Sequence, residues 1–184
     1  MKPSIVVCLL AVACGAFGAN VAAAESPYVG QEGRAIKALS PDDVDAYLAG
    51  KGMGLAKAAE LNGYAGPAHV LELAPQLSLT PEQRARTQAL FASMQAEAMQ
   101  LGRALVEQER ELDRLFASKT ITPERLAMAL TEIGSLQAQV RGAHLRAHLA
   151  QVQILTPEQN ARYAELRGYR GNGPPPHHGG AHTH

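Results

Sequence analysis

The chain has 184 residues, enough for one domain or for one domain with tails. Lys+Arg and Asp+Glu balance at 17 each, and a neutral chain lacks the basic face that neutralises phosphates, so nucleic acid is not an expected partner. Aromatic residues make up only 4% and Trp is absent, which argues against a deep globular core and for an all-α chain of helices pressed together along narrow seams.

Residues 1–24 read as a secretory leader. Lys2 supplies the charged start, Ile5 to Ala16 form an apolar run, and Ala22-Ala23-Ala24 is an A-x-A cleavage site. The run is too short for a stable membrane span. Lipoprotein processing at Cys14 is the less favoured alternative, because Ala11 stands where such sites prefer a larger aliphatic residue. Both cysteines, Cys8 and Cys14, fall in the leader, so the mature chain carries no disulfide, thiolate ligand or cysteine nucleophile. Export without cysteines fits the periplasm of a Gram-negative bacterium.

Residues 25–78 form a Gly-punctuated segment with short helices. Ser40-Pro41-Asp42-Asp43 is a helix start, with a Ser cap, Pro in the first helical position and acids at the positive dipole end. That helix should stop near Gly50. Two more short helices are expected, over Leu55–Leu61 and Pro67–Leu77, separated by Asn62-Gly63 and Gly66. Gly50, Gly52 and Gly54 do not make a phosphate loop: no strand precedes them, and the Lys lies inside the Gly run.

Residues 79–168 carry a repeat. Leu79-Thr80-Pro81-Glu82-Gln83 recurs as Leu155-Thr156-Pro157-Glu158-Gln159, and Ile121-Thr122-Pro123-Glu124-Arg125 is a weaker copy. Each copy is a helix N-terminus. Thr caps, Pro sets the first φ, Glu meets the dipole, and Gln three residues on closes a capping box that Arg125 cannot close. After the first copy, Thr87, Phe91, Met94, Ala98, Leu101, Leu105, Gln108, Leu112 and Leu115 alternate at spacings of four and three, the seam of a helix packed lengthwise on another. Ser118-Lys119-Thr120 is a polar turn, so the next helix should return antiparallel from Pro123 to about Gln153. Leu126, Leu130, Ile133 and Val140 share one of its faces. A shorter helix follows the last copy and ends near Gly168. Residues 169–184 are Gly, Pro and His with almost nothing to bury, and read as a disordered tail. The apolar edges of such a hairpin imply a homodimer.

The exported, cysteine-free, helical chain with paired LTxxQ motifs resembles the Spy/CpxP periplasmic family over about residues 66–168. The likeness is greatest to its heavy-metal sensor and resistance branch, the ZraP-like and CnrX-like proteins. The residues that carry it are Leu79, Thr80 and Gln83, and Leu155, Thr156 and Gln159. The resemblance implies a bent antiparallel helical hairpin that dimerises. It also implies one of three roles: binding unfolded proteins without ATP, binding divalent metals, or restraining a membrane-bound stress sensor. It offers no role for the Gly-rich segment 50–66.

His144 and His148 stand i, i+4 on the returning helix, a spacing that suits Zn, Ni, Co or Cu. The alternative is that both rings belong to the seam, since His144 follows the face of Leu126, Leu130, Ile133 and Val140. Two imidazoles half fill a tetrahedral site. A third ligand could come from His69 or Glu72, or from a partner subunit, and His69 alone reads as structural. His177, His178, His182 and His184 form a second, weaker and more promiscuous chelating group, or else a solubilising tail. Met94, Met99 and Met128 read as filler rather than soft copper ligands. Glu107, Glu109, Glu111 and Asp113, interleaved with Arg103, Arg110 and Arg114, read as a solvated helix face. With no nucleophile constellation or phosphate loop, enzymatic activity is not expected. The functional expectation is a metal-binding stress or resistance protein, with an ATP-independent chaperone or adaptor as the alternative and a structural interaction module as the third reading.

Overall fold

A computed structural model describes residues 26–169. The leader, its cleavage site, Cys14 and the histidines of the tail (His177, His178, His182 and His184) lie outside the described residues. Residues 26–32 belong to a separate small unit, made of turns closed by Val29 N–H to the Ser26 carbonyl and Gln31 N–H to the Tyr28 carbonyl. The second unit begins at Gly33 and contains every helix described below.

Among the described residues, six helices make up the regular structure: α1 (Pro41–Leu48), α2 (Lys57–Glu60), α3 (Pro67–Glu72), α4 (Pro81–Ala117), α5 (Pro123–Gln151) and α6 (Pro157–Leu166). Ser40 caps α1 as its sequence requires, accepting from Asp43 N–H while the Asp43 carboxylate accepts from Ser40 N–H. The two short helices come out shorter than expected. Only Lys57–Glu60 of the second is helical, and the third stops at Glu72 instead of running to Leu77. Pro75 explains the stop: it has no N–H to bond back along a helix, and it drives Ala74 away from helical geometry. Turns continue the chain to Ser78, which takes a positive φ of 49°.

α4 and α5 form the antiparallel hairpin, their axes held in register from Gln151–Thr87 at the open end to Leu105 with Ile133 and Leu136 nearer the turn. At 1.5 Å per residue, the 37 residues of α4 span roughly 55 Å. The turn is closed by Thr120 N–H to the Leu115 carbonyl, with Lys119 in the left-handed region at φ 55°. Thr87, Met94, Ala98, Leu105 and Leu115 are buried as the seam requires.

The seam differs from its expected course in two places. A second stripe of α4, Gly102, Val106 and Glu109, is buried as well, because α1 packs on that side. A Cβ on residue 102 would come 2.3 Å from the Tyr47 carbonyl oxygen, so only Gly lets α1 approach this closely. Glu109 is thus not part of a solvated face: burial pushes its carboxyl above the usual range. On α5, Ile133, Leu136 and Val140 are buried, but Leu130 is 53% exposed. Leu130 is not among the buried residues of α5.

Candidate metal site

The open end of the hairpin is built by the two identical motifs, which meet. Thr80 and Thr156 each close a full capping box with Gln83 and Gln159, while Thr122, followed by Arg125, makes only the single cap bond. The two glutamines then bond each other: Gln83 Nε2 donates to Gln159 Oε1 at 2.7 Å, and Gln159 Nε2 donates to Gln83 Oε1 at 3.0 Å. Each amide also donates across to the other arm, Gln83 to the Ile154 carbonyl and Gln159 to the Leu77 carbonyl. Leu155 is buried beside Tyr163, Val70, Ala65 and Leu77, with Leu79 packed against them. The repeat thus clasps the start of α4 to the start of α6.

A cleft of about 610 Å³ lies between α5, α4 and the segment 49–69. His69, His144 and His148 all line it, with Glu60, Arg167 and Tyr169. Gly50 and Gly66 bring the segment close. Gly50 has φ +63°, and a Cβ there would lie 2.9 Å from the Gln95 carbonyl oxygen. At residue 66 a Cβ would meet Cε1 of His148 at 2.7 Å.

His144 is 5% exposed and its Nε2 is buried with no hydrogen-bond partner. Burial, and secondarily the neighbouring His148, pulls its pKa below the ordinary histidine value, so the ring is neutral at pH 7. His148 Nδ1 lies 2.8 Å from the Tyr64 carbonyl. A carbonyl only accepts, so Nδ1 carries the hydrogen and Nε2 keeps its lone pair. A backbone carbonyl orienting one imidazole nitrogen and leaving the other basic is the usual outer support of a metal-ligating histidine.

Beside His148 stands a residue that periodicity did not reveal. Glu60 is 9% exposed, and its Oε1 accepts from Tyr163 Oη (2.5 Å), Tyr169 Oη (3.0 Å) and Arg167 Nε (3.3 Å). Its Oε2 is buried without a partner, 3.7 Å from His148 Nδ1. Burial and Glu60 push the Tyr163 hydroxyl far above its usual range, which keeps it a donor. The only hint in the sequence is a lone carboxylate amid Ala, Leu and Gly in a stretch too short to show a period. His69, by contrast, is half-exposed and pairs with Glu72, Nδ1 to Oε2 at 2.9 Å, within its own helix.

Among the described residues, no three His, Cys, Asp or Glu side chains gather as a ligand cluster. The donors nonetheless suit a divalent ion of the Zn type in part: two imidazoles a turn apart, one with an unpartnered buried nitrogen and the other held by a carbonyl. No helix among the described residues is long and apolar enough to cross a membrane.

Comparison with known proteins finds no match among curated proteins and none among solved structures. A family described as heavy-metal resistance matches residues 48–162, which run from the end of α1 into α6 and include both histidines of α5. The match covers more than half of the chain, and the chain therefore belongs to the heavy-metal resistance family.

Proposed function

We propose that this protein serves heavy-metal resistance by binding a divalent transition ion through His144 and His148 in the periplasm. Zn is the first choice, with Ni, Co or Cu as alternatives. The observation that carries the reading is the unpartnered, buried Nε2 of a neutral His144, one turn from a histidine whose tautomer is set by the Tyr64 carbonyl. A seam histidine would normally find a partner for a buried nitrogen. The ion would lose competition from protons down to lower pH at His144 than at a free imidazole, because that ring already disfavours its proton. The clasp of Gln83 and Gln159 joins the start of α4 to the start of α6 and needs no metal of its own.

The test is isothermal titration of the mature chain with Zn, Ni and Co. His144→Ala or His148→Ala should each weaken the tightest event by at least about tenfold, given the usual cost of losing one member of such a set. Binding unchanged in both variants refutes the proposal.

A second reading, an ATP-independent chaperone or adaptor, is favoured by the apolar groups left open toward the hairpin turn: Phe116, Met128 and Leu130 are all more than half exposed. The same groups offer a surface for a homodimer. Suppression of aggregation by the metal-free protein would support the chaperone reading, and its absence at equimolar protein would remove it.

A further inference from the structure

The cleft has more room and more positive charge around it than a bare ion needs. His144 and His148 fill two of the four positions of a tetrahedral ion, and among the described residues no third His, Cys, Asp or Glu gathers with them. An ion with two waters takes well under about 100 Å³, since each water occupies about 30 Å³. The cleft offers about 610 Å³, a size that suits a small organic molecule. Most of its wall is apolar, with Met53, Pro67, Phe91, Met94 and Ala147 beside the two histidines.

Charge points the same way. Lys51, Lys57 and Arg167 line the cleft against one carboxylate, Glu60. Arg167 is committed to that carboxylate, Nε to Oε1 at 3.3 Å. The two lysines are not: among the described residues neither has an ion-pair partner. The Lys57 stem lies over Gly54, where an added Cβ would meet its Cε at 3.2 Å. A surplus of positive charge works against a bare divalent cation and attracts an anion.

Resting on the metal reading above, we infer that the cleft takes its ion together with a small organic chelator, a bidentate carboxylate with an apolar body. Each part of that description answers an observation. Two open positions on the ion call for two donor atoms. Lys51 and Lys57 call for a carboxylate, and the wall of Pro67, Phe91 and Met94 calls for an apolar body. Capture of the bare ion uses neither the volume nor the two lysines.

The probe is picolinate, which offers a carboxylate oxygen and a ring nitrogen on an aromatic body. The full mature chain is dialysed to equilibrium against picolinate with and without Co, at fixed free Co, and bound picolinate is read by its ultraviolet absorbance. One picolinate should be retained per tightly held Co, and none without Co. Coupling is reciprocal, so picolinate should raise Co affinity by the factor by which Co raises picolinate affinity, about tenfold or more. Lys51→Gln/Lys57→Gln should weaken picolinate uptake about fivefold, while Co alone binds at least as tightly as before. A merely structural role of the lysines would weaken both together. Co held by His144 and His148 with no picolinate retained overturns the inference and leaves the metal reading intact. So does picolinate uptake that is the same without Co, or the same in the lysine variant. Co binding of unchanged affinity in His144→Ala/His148→Ala overturns both, so the two failures are distinguishable.

Discussion

Changing Gln83 to Ala removes four hydrogen bonds: one from Thr80 N–H, one to the Ile154 carbonyl, and both bonds exchanged with Gln159. At about 0.5–1.5 kcal/mol each, and with water able to replace part of them at this half-buried site, the cost should be about 2–3 kcal/mol. Gln159→Ala should cost a similar amount, since it loses the Thr156 N–H, the Leu77 carbonyl and the same two shared bonds. The shared bonds are lost only once in the double variant. It should therefore be less destabilised than the sum of the singles, by about 1–2 kcal/mol. Urea unfolding of the four proteins, followed by far-UV circular dichroism, measures this coupling directly. Effects that add within about 0.5 kcal/mol would show that the glutamines act only as separate caps, and the clasp between the arms would be refuted.

Two glycines of the hairpin give a paired expectation: Gly102→Ala, whose Cβ would meet the Tyr47 carbonyl at 2.3 Å, should destabilise by about 1–2 kcal/mol, whereas Gly134→Ala, with nothing within 4 Å, should stabilise by about 0.5–1 kcal/mol. Thermal melts of both distinguish a steric requirement from helix propensity, and the same sign in both would contradict the packing of α1. Gly66→Ala should displace the His148 ring and lower Ni affinity about 10–100-fold by titration, with the fold retained by circular dichroism; unchanged affinity would separate that ring from the site. Glu109 has a folded pKa above its unfolded one, so its contribution to stability is fully present below the ordinary value of 4.5 and is lost as pH rises through the raised value. Glu109→Gln should lack this loss and gain on the unaltered protein as pH rises from 4.5 toward 7, measured by urea midpoints; parallel curves would mean the carboxylate is solvated.

The helices were largely legible in the sequence, because Ser40, Thr80, Thr122 and Thr156 each combine a cap, a Pro and an acid before a periodic run. The period of four and three exposed the α4–α5 seam for the same reason. It could not show the second buried stripe at Gly102, Val106 and Glu109: that stripe exists only because a short helix from far along the chain docks there, and a charged residue inside it reads locally as surface. Leu130 shows the converse, an apolar residue in phase with the expected seam that stays 53% exposed. At the candidate site, the i, i+4 spacing pointed to His144 and His148. The Tyr64 carbonyl, Gly66 and Glu60 were invisible to periodicity because they lie in the irregular segment 49–69, where contacts are set by tertiary packing. The capping chemistry of Gln83 and Gln159 was readable within each motif, but their mutual bonding spans 76 residues of chain and emerges only when the arms close.

The measurement that bears most directly on the metal reading is anomalous diffraction at the absorption edge of Zn or Co from crystals of the loaded mature protein. A single strong peak is expected in the cleft, within about 2.0–2.1 Å of a ring nitrogen of both His144 and His148. A peak elsewhere on the chain, with both rings placed as in the metal-free protein, would contradict it.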